Sequence, residues 1–272
     1  MNQSHLEDIQ QWFDRYVATF EDIEPEGFKN IRLKIEHTRK VCDVMELLAA
    51  GEGLSPQQTL IARTTALLHD VGRFPQYRRW RTFRDSDSDN HARLSIEVIR
   101  ERGVLEGVAD VERLQVEEAV RFHNLLKMPE RLKSPTPLFL QLIRDADKLD
   151  IWRVFMEFFE TAPEDRPSAV TLGFPELPGV SPECLSALAA GRVVTLDSVT
   201  RLNDFRLLLV SWAYDLNFSS SHQLLQQRGY IEALADTFPH DDETAVAVAL
   251  AVAAIKRRAA GDITTTFKQS AT

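Results

Sequence analysis

The chain has 272 residues, of which 44% are hydrophobic and 27% are charged, and this composition is typical of a globular protein with a sizeable core. Its formal net charge of −9 argues against broad, non-specific binding to nucleic acid or to anionic membranes. The two cysteines, Cys42 and Cys184, have no neighbouring thiol in the sequence, which excludes a thiolate zinc site and favours a reduced, cytoplasmic protein.

Helical periodicity recurs along almost the whole chain, and no segment shows the alternation that is typical of a strand. The sequence therefore predicts an all-α fold. Ser55-Pro56 is typical of a helix start, because serine caps the first turn and proline is tolerated at the first helical position. Asp85, Asp87 and Asp89 are predicted to cap the helix that contains His91. In chain order, the first helices are predicted over 4–20, 27–50, 56–69, about 90–102, 110–124 and 136–160.

The sequence changes character after residue 160, where five prolines interrupt regular structure over 161–182. We predict a helical core over 1–160 and, over 161–272, a proline-rich connector followed by C-terminal helices. These helices could pack on the core, form a lid or provide a homodimer face, and the sequence leaves all three open. The longest apolar run, 245–255, is shorter than the roughly 20 residues that span a bilayer, so we expect a packed helix and no membrane segment. The C-terminal helices are predicted over 181–190, 195–217, 220–236 and 241–260, with a disordered tail over 264–272.

Four histidines lie on apolar stripes of the predicted helices, where a single imidazole is usually a hydrogen-bonded core residue. His37, for example, shares a helical face with Val41 and Val44. Taken together, four inward imidazoles and two inward carboxylates would carry a heavy desolvation cost unless a cation compensates. A metal centre in a helical bundle converts that cost into ligand bonds, and these ligand types suit Fe, Mn, Co, Ni, Zn or Mg. The candidate ligands are His37, His69, Asp70, His91, His123 and Asp147.

The order of these residues resembles the H…HD…D signature of the HD-domain metal-dependent phosphohydrolase superfamily. His69 and Asp70 form the HD pair within LLHDVGRF, and His91 and His123 resemble the two additional histidines of its dinuclear members. The resemblance covers about residues 25–160. It implies an all-α HD-domain helical bundle, followed here by additional C-terminal helices, and one or two bound divalent metal ions.

The resemblance implies a role for each candidate ligand. Asp70 would bridge two ions, the second of which His91 and His123 would also hold. Within DADKLD, the family's ligand matches Asp147 and not Asp145. The first ion would be held by His37, His69, Asp70 and Asp147.

The implied activity is that of a metal-dependent phosphohydrolase, which cleaves a phosphate ester or phosphoanhydride of a small molecule, with a nucleotide favoured, by a metal-activated water. Asp70 would be catalytic as the shared ligand. Arg73 and Lys148 would be catalytic by neutralising the phosphoryl oxygens, and Lys148 matches a family position that contacts phosphate. With a single ion, His91 or His123 would instead act as acid, base or phosphate donor.

Two other functions stay open at this point. One branch of the same superfamily uses the same ligand set in a mixed-valent di-iron oxygenase, in which Lys127 could contact an anionic substrate. The other is a non-catalytic sensor, which the complete ligand set disfavours. A cyclic-dinucleotide substrate is also disfavoured, because Asn124 follows His123 where the HD-GYP enzymes have a paired histidine, and no GYP triplet follows.

The segment 73–84 places arginines between aromatic residues that recur at intervals of three. Arginine binds phosphate bidentately and an aromatic face can stack on a base, so this segment could form a substrate-binding wall. The alternative is an amphipathic helix with its aromatic residues in the core and its arginines in solvent. Arg73 must lie near the metals in either case, since it follows the HD pair closely. The candidate substrate-binding residues are Arg73, Arg78, Arg81, Lys127 and Lys148.

Overall fold

The structure, a computed structural model, describes residues 1–238 and 242–260. Within these ranges all regular elements are helices and no β-strand occurs, which confirms the predicted all-α class. The chain divides into two compact units, Met1–Gly173 and Phe174–Thr272. The predicted connector 161–182 therefore contributes its first part to the first unit and its remainder to the second. Whether 1–160 is an independent core stays a prediction.

Seven α-helices build the first unit, and six of them have ends within a few residues of the predicted ones. The seventh lies in the arginine-aromatic segment, where an amphipathic helix is one of the two alternatives. The start of α3 shows why the sequence is a good guide: the Ser55 side chain accepts from the Gln58 backbone, and the Gln58 side chain accepts from the Ser55 backbone. This reciprocal cap satisfies two backbone donors that a helix end would otherwise leave free. The helices are α1 (Gln3–Ala18), α2 (Pro25–Gly51), α3 (Pro56–Leu68), α4 (Arg73–Trp80), α5 (His91–Glu101), α6 (Asp110–Phe122) and α7 (Thr136–Glu160).

The core of the first unit lies between its long helices. Helix α2 packs against α3 and α7, and α6 packs against α3, α5 and α7. Val41, Val44 and Leu48, on the predicted apolar stripe of α2, are buried, as are Trp152 and Phe155 of α7. Each large apolar side chain removed from water contributes about 1.5–3 kcal/mol, so this packing fixes the helices that carry the candidate ligands.

A close backbone approach places the HD pair beside the start of α5. The Gly72 amide donates to Ser95 Oγ at 2.9 Å, and Ser95 Oγ donates to the carbonyl oxygen of His69 at 2.8 Å. A Cβ at Gly72 would lie 2.4 Å from the His91 carbonyl oxygen and 2.4 Å from the Ser95 amide. Only glycine permits this contact, which holds His69 and His91 in neighbouring elements.

The second unit differs more from the predicted helices. The helix predicted over 195–217 is wrong in extent: its α-helical part is short and is flanked by 3₁₀ turns over Leu196–Ser198 and Trp212–Asp215. The Asp204 carboxylate accepts the backbone amides of Ser181 and Thr200 and fixes the chain just before the α-helical part. The helix predicted over 220–236 breaks at Gly229, whose φ is +64°. The helices are α8 (Pro182–Ala189), α9 (Leu202–Ser211), α10 (Ser219–Arg228), α11 (Tyr230–Ala235) and α12 (Asp242–Ala259).

Helix α12 contains the longest apolar run and is packed as predicted, with Ala251 and Ile255 buried. No helix in the described ranges combines the length and apolar character needed to cross a membrane. The tail 264–272, for which disorder is predicted, lies outside the described residues.

Candidate metal centre

The six candidate ligands converge in the first unit. His37 lies within α2 and Asp147 within α7. His69 and His123 are the residues that end α3 and α6, and His91 is the first residue of α5. All four imidazoles are buried. The convergence predicted from helical stripes is therefore present in the structure.

The Asp70 carboxylate divides the four histidines into two pairs. Its Oδ2 lies 3.8 Å from His37 Nε2 and 3.6 Å from His69 Nε2. Its Oδ1 lies 3.6 Å from His91 Nε2 and 3.8 Å from His123 Nε2. One carboxylate thus presents a separate oxygen to each pair, as a bridging ligand between two ions would.

Asp147 belongs to one pair only. Its Oδ1 lies 3.1 Å from His37 Nε2 and 3.8 Å from His69 Nε2. We call His37, His69 and Asp147 the first half of the centre and His91 and His123 the second half, with Asp70 shared between them.

Hydrogen bonds at Nδ1 fix the tautomer of the four imidazoles of the centre. His69 Nδ1 lies 2.7 Å from the Ala66 carbonyl oxygen, and His123 Nδ1 lies 2.7 Å from the Val120 carbonyl oxygen. A carbonyl only accepts, so both Nδ1 atoms carry hydrogen. In the same way, His37 Nδ1 donates to Asp150 Oδ2 and His91 Nδ1 donates to Asp85 Oδ2, each at 2.7 Å.

The Nε2 atoms consequently face the centre as acceptors. His91 Nε2 and His123 Nε2 are 3.1 Å apart, and within the described residues His37 Nε2 and His69 Nε2 are buried without a hydrogen-bond partner. Acceptors that face acceptors and carboxylates need a proton or a cation between them. Four Nε2 lone pairs with carboxylate oxygens are a donor set that divalent metal ions bind, so the residues present fit such ions.

The pKa values of three histidines favour the neutral form that a metal requires. Burial and the neighbouring charge of Arg73 lower the pKa of His91 to about 4. Burial and the charge of His69 lower the pKa of His123 to about 4, and burial also lowers the pKa of His69. These imidazoles can bind a cation near neutral pH without first losing a proton.

His37 and Asp70 respond to their charged neighbours. Burial and the charge of Lys34 lower the pKa of His37, but the neighbouring carboxylates of Asp147 and Asp150 outweigh them, and the net pKa is raised. Burial raises the pKa of Asp70, but the positive charge of Lys34 and other neighbours outweighs it and holds that pKa well below its usual range. Asp70 is therefore ionised at neutral pH.

Three residues of the centre were not predicted from the sequence. Lys34 Nζ lies 2.9 Å from Asp70 Oδ2, and Asp150 and Asp85 hold His37 and His91 as described above. Lys34 precedes His37 by three residues, and Asp150 follows Asp147 by three, so both lie on helical faces that already carry a ligand. That spacing is the signal that could have identified them.

The predicted cap of α5 is wrong. The Asn90 side chain accepts a hydrogen bond from the Arg93 amide and caps the helix, while the Asp85 carboxylate accepts from His91 Nδ1. Asn90 directly precedes the first helical residue, which is the position whose side chain reaches the free amides of the first turn. The aspartates lie earlier in the chain, so Asp85 is available as a partner for the imidazole.

The arginine-aromatic segment follows the amphipathic alternative at most positions. Phe74, Tyr77 and Phe83 are buried. Arg78 lies over the Phe20 ring, at 4.2 Å from its centroid, and Arg81 donates to Glu24 Oε2 at 2.8 Å. These contacts engage both arginines away from the centre, and their substrate-binding role stays a prediction.

The remaining candidate catalytic and substrate-binding residues are Arg73, Lys148 and Lys127. Arg73 lies beside a candidate ligand, with its Nε 3.5 Å from Asp70 Oδ1. Lys148 is buried next to Asp147 in the chain, and its Nζ donates to the Arg144 carbonyl oxygen at 3.4 Å. Lys127 is exposed in the loop after α6. The roles of both lysines stay predictions.

Comparison with known proteins agrees with this geometry. Residues 35–152 match the family model described as HD domain. The matched range begins two residues before His37 and ends five residues after Asp147, so it includes all six candidate ligands. No curated protein and no solved structure gave a significant match to the chain.

Proposed function

From the match of residues 35–152 to the HD domain family model, we propose that the chain is a metal-dependent phosphohydrolase acting on a phosphate ester or phosphoanhydride of a small molecule. The observation that carries the proposal is the Asp70 carboxylate, which presents one oxygen to His37 and His69 and the other to His91 and His123. This arrangement favours two divalent ions that share one ligand.

The bound ions would supply Lewis-acid charge to the phosphoryl oxygens and would lower the pKa of a water so that it attacks near neutral pH. The chain's own residues present fixed lone pairs and add positive charge. Lys34 and Arg73 lie beside opposite oxygens of Asp70, at 2.9 and 3.5 Å. Both side chains could bind phosphoryl oxygens as negative charge develops on them.

The preference for a nucleotide rests on the arginine-aromatic segment. The partly exposed Trp80 has the Arg79 guanidinium over its ring, 4.4 Å from the centroid, and such a pair could stack on a base. Asn124 after His123 disfavours a cyclic dinucleotide. We therefore place nucleoside mono-, di- and triphosphates first among candidate substrates.

A metal count combined with an activity panel tests the proposal. Purified protein is reconstituted with Mn²⁺ or Fe²⁺ and assayed under nitrogen against p-nitrophenyl phosphate, bis(p-nitrophenyl) phosphate and the nucleotides. Release of phosphate or nitrophenol, with two ions per chain, is the expected result. A requirement for oxygen with a mixed-valent iron signal in EPR would replace the proposal with an oxygenase. Metal binding without either activity would indicate a sensor.

A further inference from the structure

Each half of the centre contains one histidine that its own helix anchors and one that a distant carboxylate anchors. His69 and His123 donate to carbonyl oxygens three residues earlier in their own helices. His37 and His91 have no such bond at Nδ1 among the described residues and depend on Asp150 and Asp85. The two carboxylates therefore occupy equivalent positions in the two halves.

Asp85 lies outside the regular helices that carry the ligands, in the α4–α5 loop, residues 81–90. Four donors converge on its carboxylate. Besides His91 Nδ1, Arg73 Nη1 lies 3.0 Å and Gln76 Nε2 lies 2.9 Å from Oδ1, and Asn124 Nδ2 lies 3.3 Å from Oδ2. An asparagine side chain at position 85 could not accept from all four donors, because its amide nitrogen is itself a donor.

The α4–α5 loop is tied to α4 through Gln76. This buried side chain also donates to Ser88 Oγ and to the Asp89 carbonyl oxygen, both at 2.9 Å. The loop conformation, and with it the position of Asp85, is therefore fixed by side chains of α4. Asp150, in contrast, is held by Arg153 on the same helix, with Arg153 Nε 2.6 Å from Oδ1.

We propose that Asp85 is the positioning residue that decides whether the second half of the centre holds its metal ion, with little influence on the first half. Without the Asp85 carboxylate, the His91 ring loses the bond that aims Nε2 at Asp70 and His123. Second-sphere partners of this kind typically change metal affinity by about 10–100-fold. The inference rests on the metal centre of the proposed function, and it adds a residue that controls whether that centre holds one ion or two.

The test compares Asp85→Asn with the matched variant Asp150→Asn in the full-length chain. Metal-free protein is titrated with Mn²⁺ by calorimetry, and bound manganese is counted by mass spectrometry. We expect Asp85→Asn to weaken one of two binding steps by 10–100-fold and to leave the other within threefold of wild type. Asp150→Asn should weaken the opposite step.

The outcomes separate this inference from the proposed function. Two ions bound by Asp85→Asn with wild-type affinities would overturn the role of Asp85 and leave the centre intact. Equal weakening of both steps would overturn the independence of the halves. A wild-type chain that binds no Mn²⁺ would overturn the proposed function itself. An Asp85→Asn variant that still binds the first ion is folded at the site. If that variant does not fold, Gln76→Met provides a second test, because it keeps the Asp85 carboxylate but removes the side chain that fixes the loop. Gln76→Met should lower the affinity for the second ion severalfold and leave the affinity for the first ion unchanged.

Discussion

The two halves of the metal centre offer similar nitrogen ligands but obtain them from different kinds of structure. The first half takes His37 and Asp147 from the interiors of α2 and α7, helices of 27 and 25 residues, and only His69 from a helix end. The second half takes both of its histidines from helix ends, and a loop residue, Asp85, orients one of them. Helix interiors are held by extensive core packing, whereas helix ends and loops open more readily. The first half is therefore the more rigid platform, and the second is where occupancy can vary.

The largest effect is expected at the residue that the two halves share. Replacement of Asp70 by alanine removes an oxygen ligand from each ion, so we expect loss of both ions and of all phosphohydrolase activity. Manganese content and turnover are measured on the same sample. Asp87→Ala is the control, because it removes an exposed carboxylate of the α4–α5 loop that does not belong to the ligand set. An Asp70→Ala variant that keeps full activity would refute the assignment of the centre.

Protonation provides a second comparison of the halves. His91 and His123 have pKa values of about 4, below the ordinary value of about 6.5, so the unfolded chain binds more protons than the folded chain between those values. Metal-free protein should therefore lose stability as pH falls from 6.5 to 4, by up to about 3 kcal/mol for each of these histidines. The raised pKa of His37 acts in the opposite direction, but it is one group against three, because the pKa of His69 is also lowered. Urea unfolding across this range measures the slope, and a flat profile would contradict the assigned protonation states.

The contact at Gly72 fixes the distance between the halves. Gly72→Ala would push its Cβ into the backbone of α5, and we expect a loss of about 1–3 kcal/mol in unfolding free energy together with weaker binding of the second ion. Ser95→Ala removes the two hydrogen bonds of the same contact without adding an atom and serves as the companion variant. Thermal unfolding and manganese titration record both effects. If Gly72→Ala matches wild type in both, the close approach does not constrain the centre.

The smallest effect is expected on the arginine-aromatic segment. Arg81 forms an exposed ion pair with Glu24, and such pairs contribute about 0–1 kcal/mol. Arg81→Ala should leave metal binding and KM unchanged within twofold, whereas Arg73→Ala should impair activity because Arg73 contacts the centre. A tenfold rise in KM for Arg81→Ala would instead support the predicted substrate-binding wall.

The first half of the centre is the part that sequence reasoning reaches most directly. His37 lies on an apolar stripe whose period is helical, and burial of that stripe determines where its imidazole points. The histidines of the second half could be assigned only by their order relative to the HD pair, because a residue at a helix end has few neighbours from which a helical period can be read. The prediction that Asp85 caps α5 is wrong, and the sequence misleads here because a carboxylate can either cap a helix or orient a metal ligand. Only the path of the α4–α5 loop distinguishes them, and that path depends on tertiary contacts of Gln76 and Arg73.

The helix ends at His69 and His123 also have an electrostatic consequence. The C-terminal end of an α-helix carries a partial negative charge of about half an electron, and α3 and α6 both finish at the centre. Two such dipole ends add to the ionised carboxylates, so the ligand cluster itself attracts cations and repels anions. If the proposed function holds, a divalent ion would have to bind before a phosphorylated substrate, and this order of addition would follow from the fold.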